Sequence, residues 1–390
     1  MDRNEVMDKK SEVAFRIGPI RPPSEAESLL LQVTNGCTWN KCKFCQLYRG
    51  TKFKAYSADS IRADIDNMVI LADRVRKYQD SDGKWDIEGL NRQLQLCEGE
   101  EMQCFYMIAN WLIGGGENVF LQDGNTTVLS SGRLTDVLIY LRQAFPSIKR
   151  ITSYGRAENL SKVSAEEFAE LKAAGLDRIH SGFETGSDAV LKKINKGVTA
   201  EQEIIAGRNV KAGGIELSVY FMPGVGGKEL TKENAEGTAE VINAVNPDFF
   251  RIRTAFIKPG TGLYEDYLNG DFTLCSDDEK LMEIRTVIER AQGIDTKLVS
   301  DHMINLLQNV EGSLKNDKDE MMAVIDGYLR LPEEEKKMYQ AARRMARVSD
   351  PTDMRRLSPY DKKVIRQLME TYTDPYEWEV KMNELAGRYI

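Results

Sequence analysis

Histidine is nearly absent from the chain. Only His180 and His302 occur, far apart in sequence, so a zinc site completed by imidazole has little to draw on. Long apolar runs are missing too: no stretch approaches the roughly 20 residues that cross a bilayer. The first 27 residues mix acidic and basic side chains without an apolar run, so neither a signal peptide nor membrane insertion is expected. Positive charge is in deficit. With 53 Lys and Arg against 61 Asp and Glu, the formal net charge is -8, which excludes a uniformly basic coat for nucleic acid but leaves room for a local patch. The six cysteines do not make a disulfide framework: Cys37, Cys42 and Cys45 form one tight group, and Cys97, Cys104 and Cys275 are scattered. A cytoplasmic protein whose reduced thiols hold a metal is the expectation.

What is present is a regular alternation of strands and helices. Residues 1–27 read as an N-terminal leader ending in Arg21-Pro22-Pro23. The apolar run 28–34 suits a buried parallel strand. Helical spacing over 60–78 and a second strand at 117–122 follow, separated by an insertion at 79–114 with room for one or two helices. Strands are then predicted at 149–154, 177–183, 215–221 and 248–256, alternating with helices at 132–145, 165–174, 187–213, 232–244 and 277–292. Capping-box spacings at Ser164 with Glu167, Thr199 with Gln202 and Ser276 with Glu279 mark three helix starts. Six strands each followed by a helix imply a parallel sheet with right-handed crossovers, an α/β partial (β/α)6 TIM-like barrel over 28–299. Residues 300–390 show no convincing strand, and Pro332, Pro351, Pro359 and Pro375 punctuate a helical C-terminal extension.

The chemistry begins right after the first strand. Asn35-Gly36-Cys37-Thr38-Trp39-Asn40-Lys41-Cys42-Lys43-Phe44-Cys45 places three thiolates in nine residues. A four-iron cluster held by three thiolates keeps one iron without a protein ligand, whereas electron-transfer ferredoxins normally supply four. The alternative, a zinc knuckle, requires a fourth ligand, and both histidines belong to later elements. The arrangement resembles the radical S-adenosylmethionine (radical SAM) superfamily, whose usual pattern is C-x3-C-x2-C with an aromatic before the last cysteine. Phe44 matches the aromatic, and the first spacing is one residue longer than usual. The resemblance implies one 4Fe-4S cluster held by Cys37, Cys42 and Cys45, with S-adenosylmethionine (SAM) on the open iron.

Catalytic groups in such barrels sit at the C-terminal ends of strands. After strand two, Asp123-Gly124-Asn125 stands where the superfamily places a glycine-rich turn for the SAM amino group. After strand three, Ser153, Tyr154 and Arg156 offer hydroxyls and a guanidinium to the ribose and carboxylate of SAM. Gly182-Phe183-Glu184-Thr185-Gly186-Ser187 looks like the Gly-x-Glu-x-Gly-Ser signature of the Elongator-type, methylthiotransferase-type and oxygen-independent coproporphyrinogen oxidase-like branch, which implies that Glu184 and Ser187 serve SAM. Met222-Pro223-Gly224-Val225-Gly226-Gly227 permits close approach of backbone to the adenine. Strand six alternates so that one arginine points into the barrel, and Arg253 is a candidate for the SAM carboxylate or an anionic substrate. Asp301-His302 is a further candidate acid or base.

The resemblance thus implies an oxygen-sensitive enzyme that cleaves SAM reductively to a 5′-deoxyadenosyl radical, which abstracts hydrogen from a small molecule. An external electron donor such as flavodoxin or ferredoxin would be its partner. RNA modification is an alternative, since ten Lys and Arg residues between 336 and 366 accompany only Asp350, Asp353 and Asp361. A solvated helical face is the simpler reading of such a run. A non-catalytic iron-sulfur carrier is the other alternative, which SAM cleavage would exclude.

Overall fold

The computed structural model describes residues 12–389. One mostly parallel sheet of eight strands has a strand order that follows the chain order, so the α/β partial-barrel class expected from the sequence holds. The chain divides into two compact units, one made of residues up to Asn35 with 53–154 and 170–177, the other of 36–52, 155–169 and everything from Arg178 on.

In the first unit, β1 (Leu29–Gln32), β2 (Asn118–Gln122) and β3 (Arg150–Tyr154) run parallel, Leu30 opposite Phe120 and Phe120 opposite Thr152. All four residues of β1 are buried, as a strand covered on both faces requires. Helix α1 (Ala58–Arg76) starts at Ser57, whose hydroxyl accepts the Ser60 amide. The predicted insertion resolves into two helices, α2 (Ile87–Leu94) and α3 (Gly99–Ile113), followed by α4 (Ser131–Ala144). Trp111 of α3 meets Phe145 edge-on at 5.2 Å and donates its indole N–H to Asn118 O at 2.8 Å. The leader, from Glu12 on, packs here: Phe15 is buried, and the Gln122 side-chain amide donates to Gly18 O at 3.1 Å. The rest of the predicted leader, residues 1–11, lies outside the described residues.

In the second unit, β4 (Leu176–Glu184), β5 (Glu216–Phe221), β6 (Phe249–Ile252) and β7 (Lys297–Val299) are parallel and β8 (Gly312–Ser313) is antiparallel. β6 ends at Ile252, short of the predicted 256, although Arg253 N and Ala255 N still donate to Phe221 O and Pro223 O in the parallel pattern. β7 and β8 were not expected; at three and two residues they carry almost no periodicity. Helix α5 (Ala165–Ala174) is divided between the units at Glu170, and α6 (Asp188–Lys193), α7 (Ala200–Ala212), α8 (Thr231–Val245), α9 (Gly262–Leu268) and α10 (Asp277–Arg290) lie in the second. All three capping boxes form, as in the Ser276 hydroxyl accepting from Glu279 N while Glu279 accepts from Ser276 N.

Past Ser313 come α11 (Lys318–Leu329), α12 (Glu333–Arg344), α13 (Pro359–Thr371) and α14 (Pro375–Ala386). Pro332 caps α12, and Pro359 and Pro375 occupy the first turns of α13 and α14, where proline gives up no needed donor. The basic run divides. Arg343 and Arg344 are buried, donating to Met303 O at 2.9 Å and to Asp277 at 2.8 Å, and Lys336 reaches Asp278 at 2.6 Å. Lys363 and Arg366 of α13 stay exposed. Among the described residues no helix is long and apolar enough to cross a membrane.

Register assigns the two faces of the second unit's strands. Phe183, Val219 and Phe250 lie on the face that meets Val241 and Ile242 of α8. His180, Tyr220 and Arg251 alternate with them, Tyr220 opposite Arg251, so the opposite face is polar.

Candidate active site

The cysteine loop belongs to the second unit and is tied down from both sides. Lys43 N donates to Ile194 O at 2.8 Å, the Asn195 amide to Lys41 O at 3.0 Å, and the Trp39 indole to Asn195 O at 2.7 Å. Lys43 O accepts from Leu263 N at 2.9 Å, and its ammonium pairs with Asp266 at 2.7 Å. The turn after α6 makes this close approach possible. Gly197 sits at φ +68, and a Cβ there would fall 2.5 Å from the Trp39 ring.

Cys37, Cys42 and Cys45 are all half-buried, and Cys45 N donates to Cys42 O at 3.2 Å. Burial raises the pKa of both Cys42 and Cys45, and Lys196 pulls each back, joined at Cys42 by Arg156. Among the described residues no three His, Cys, Asp or Glu side chains gather as the ligands of a single ion. A four-iron cluster asks for a different arrangement, with each thiolate on its own iron. Three thiols on one loop, with the Lys196 ammonium acting on Cys42 and Cys45, fit that requirement. Cys97, Cys104 and Cys275 are buried thiols elsewhere; Cys104 accepts from Phe15 N at 3.3 Å, and burial pushes it up to about 11.

Glu184 lies at the end of β4. The pairing shifts register between Gly182 and Glu184, and Glu184 adopts φ +70, so the irregularity re-aims its side chain. The carboxylate folds back over Gly182, where an added Cβ would stand 2.1 Å from Glu184 Oε1. Any side chain at Gly182 would have to move the Glu184 carboxylate from this position. Gly186 has a separate reason, since a Cβ there would meet Gly237 O of α8 at 2.2 Å. Ser187 is buried just before α6 and takes no side-chain capping bond.

Lys196 completes the arrangement, and sequence reasoning missed it. Its ammonium pairs with Glu184 Oε1 at 2.8 Å and lies 5.5 Å from the Phe44 ring centroid. Burial disfavours the ammonium, but Glu184 and Cys42 outweigh that and the net shift is upward. Arg156 donates to Lys196 O at 3.1 Å and stacks over Trp39. The available signal was a lysine between Asn195 and Gly197, a turn pair that forces the side chain next to the cysteine loop. Glu203 was also missed; it is fully buried, neither carboxylate oxygen has a hydrogen-bond partner among the described residues, and burial holds its pKa well above the usual range.

The glycine loop after β5 is held by a residue no motif marked. Gly224 N donates to Glu283 Oε2 at 2.7 Å and the Asn234 amide to the same oxygen at 2.8 Å. Gly224 has φ +83, and Met222 N donates to Glu184 O at 2.8 Å.

Both Arg251 and Arg253 lie on the polar face, where one inward arginine was expected. Residues two apart on a strand share a face. Arg251 and Arg253 reach the two oxygens of Asp301 at 2.6 and 2.8 Å. Tyr220 O–H meets His180 Nδ1 at 3.2 Å, and the Arg253 guanidinium lies 4.9 Å from the Tyr220 ring centroid. Burial works to raise Asp301, yet Arg253, with Arg251 behind it, holds the carboxyl below its ordinary value. Burial, then Arg253, depresses His302 to about 4.

Asp123, Gly124, Ser153 and Tyr154 belong to the first unit. Asp123 N donates to the Thr34 hydroxyl at 3.2 Å, and Thr126 Oγ1 to Tyr154 O at 2.9 Å. Ser153 Oγ is buried without a hydrogen-bond partner among the described residues. The remaining predicted residues, Cys37, Cys42, Phe44, Cys45, Arg156, Glu184, Ser187, Met222, Gly224 and Arg253, fall in the second unit.

The chain is 25% identical over 182 residues to an uncharacterized methyltransferase of Pyrococcus horikoshii, covering 47% of this chain and 38% of the relative. It is 26% identical over 137 residues to tRNA uridine(34) acetyltransferase of Methanocaldococcus infernus, covering 35% of this chain and 25% of the relative. The chain thus spans well under half the length of either. Among solved structures, the cobalamin-dependent SAM radical enzyme OxsB aligns over 90% of this chain and 46% of its own, at 16% identity and a TM-score of 0.39. Residues 106–241 match the model of the radical SAM superfamily, whose enzymes use a 4Fe-4S cluster and S-adenosylmethionine.

Proposed function

We propose that Cys37, Cys42 and Cys45 hold one 4Fe-4S cluster with one iron open, and that the enzyme uses SAM there to take hydrogen from a small-molecule substrate. When bound, cluster and SAM supply the 5′-deoxyadenosyl radical that performs the abstraction, and an external donor such as flavodoxin or ferredoxin supplies the electron. The chain's own part is binding and orientation. Lys196 offers its ammonium to the SAM carboxylate beside Cys42, Glu184 accepts hydrogen bonds from SAM donors, and Arg156 braces the Lys196 backbone. Ser187 supports the end of that segment, and the Met222 to Gly224 backbone lies against the adenine, held by Glu283. Phe44 shields the cluster edge from water.

The observation that carries this reading is the buried Glu184–Lys196 pair, 2.8 Å apart, whose cation acts on Cys42 and Cys45. A buried ion pair contributes little net stability, and a lysine shifted by specific charge partners, as Lys196 is, is the kind of group that clusters at functional sites. Anaerobic incubation of reconstituted protein with SAM and dithionite is expected to yield 5′-deoxyadenosine, and Cys42→Ala to abolish it. Product formation by Cys42→Ala equal to wild type would reject the assignment.

RNA modification is a second reading, favoured by the tRNA-modifying relative and by exposed Lys363 and Arg366 on α13. A small molecule remains the stronger choice, because Arg343, Arg344 and Lys336 are committed to internal partners. Binding of tRNA that weakens steeply with salt would reverse that preference.

A further inference from the structure

We propose that the substrate carries an oxyanion, a carboxylate or phosphate, gripped by Arg253 Nη2 next to the His302 imidazole on the polar face of the second unit. The inference rests on the reading above only in taking the SAM side of the site to be Lys196 and the cysteine loop.

The charge count on this face does not balance. Two guanidinium groups, Arg251 and Arg253, share the single carboxylate of Asp301. Tyr220, whose pKa burial pushes up to about 12, is neutral, and His302, depressed to about 4, is neutral too. One positive charge is left over where side chains are largely out of water; the Arg251 and Arg253 side chains are 5% and 13% exposed. A buried charge of this kind calls for a counter-ion.

The hydrogen-bond inventory identifies where that anion sits. Arg251 Nε donates to Ser218 Oγ at 3.1 Å and its Nη1 to Asp301 Oδ2. Arg253 Nη1 serves both Ile252 O at 2.9 Å and Asp301 Oδ1 at 2.8 Å. Arg253 Nη2 is buried and has no hydrogen-bond partner among the described residues, and His302 Nδ1 is likewise buried and unpartnered among them. A buried donor left without an acceptor is costly. Asp301 fixes the arginine and Tyr220 supports its ring-facing side, so the vacant N–H is presented by a held guanidinium. An oxygen of a carboxylate or phosphate satisfies Nη2 and neutralises the excess charge in one contact. Neutral His302 then meets a second oxygen as donor or an adjacent hydroxyl as acceptor, depending on its tautomer.

SAM also carries a carboxylate, so the test must separate the two. Lys196 and Arg156 are the cations acting on Cys42, whereas Arg253 acts on Tyr220, Asp301 and His302. The chain has only two histidines, so imidazole ¹⁵N resonances of the oxidised holoprotein are readily assigned with His302→Asn. Inorganic phosphate, and acetate in a parallel series, is titrated with and without saturating SAM. One of the two anions is expected to shift the His302 signals saturably, its apparent Kd changing less than twofold with SAM, and Arg253→Gln to weaken it at least tenfold. If Arg253→Gln does not fold, Arg253→Lys, which keeps the charge and loses the planar fork, is expected to weaken binding severalfold. No saturable shift with either anion, or a shift that SAM abolishes by competition, overturns the proposal. A holoprotein that fails to bind SAM while phosphate still shifts His302 contradicts the cofactor assignment and supports the anion site.

Discussion

Replacing Lys196 by methionine isolates the ion pair on which the cofactor reading leans. Lys196 and Glu184 are each only 8% exposed, with their charged atoms 2.8 Å apart. Removing the ammonium leaves the Glu184 carboxylate buried and uncompensated, which typically costs about 3–5 kcal/mol. For a folded unit of a few hundred residues each kcal/mol lowers the melting midpoint by about 2–4 °C, so Lys196→Met is expected to melt roughly 10 °C lower. Neutralising both partners removes the orphaned charge, and Glu184→Gln with Lys196→Met is expected to recover most of the loss. The assay is anaerobic thermal unfolding of wild type, both single variants and the double variant, followed by intrinsic fluorescence. SAM affinity gives a second readout: the double variant regains stability and still binds SAM at least tenfold more weakly than wild type. A Lys196→Met midpoint within 2 °C of wild type, or a double variant no more stable than the single, would refute the reasoning.

Gly182→Ala places a Cβ 2.1 Å from Glu184 Oε1 and is expected to displace that carboxylate, lowering SAM affinity at least tenfold in equilibrium dialysis; unchanged affinity would count against it. Burial, against donors from Gly224 and Asn234, raises Glu283 to about 8. Its unfolded form titrates near 4.5, so stability falls as pH rises from about 4.5 to 8 and levels off above. Glu283→Gln is expected to flatten that slope and to gain over wild type at pH 8 but not at pH 4.5, in denaturant titrations at the two pH values; parallel pH curves would contradict it. Replacing Cys97, Cys104 and Cys275 together by alanine is expected to leave iron at about four per chain, and a loss of half the iron of wild type would reveal a second cluster.

Much of the frame was legible because buried parallel strands are continuous apolar runs bounded by turn residues. Leu29–Gln32 and Glu216–Phe221 fall where the runs do. Lys297–Val299 was invisible because three residues show no period. At the site, motif reading found Glu184 and the glycines that make room for it, but it had no means of finding Lys196, which reaches Glu184 from twelve residues on through an αL turn at Asn195. Charge counting misled at 336–366, since composition does not tell that Arg343 and Arg344 face inward to backbone carbonyls and Asp277. The alternation of β6 did contain the second arginine: positions 251 and 253 share a face by the strand's own period.

Mössbauer spectroscopy of the ⁵⁷Fe-reconstituted protein, with and without SAM, tests most directly whether three cysteines leave one iron open. One iron in four is expected to change its isomer shift when SAM is added, while the other three, on Cys37, Cys42 and Cys45, keep theirs. Four irons that ignore SAM, or a preparation that takes up zinc in place of iron, would contradict the account.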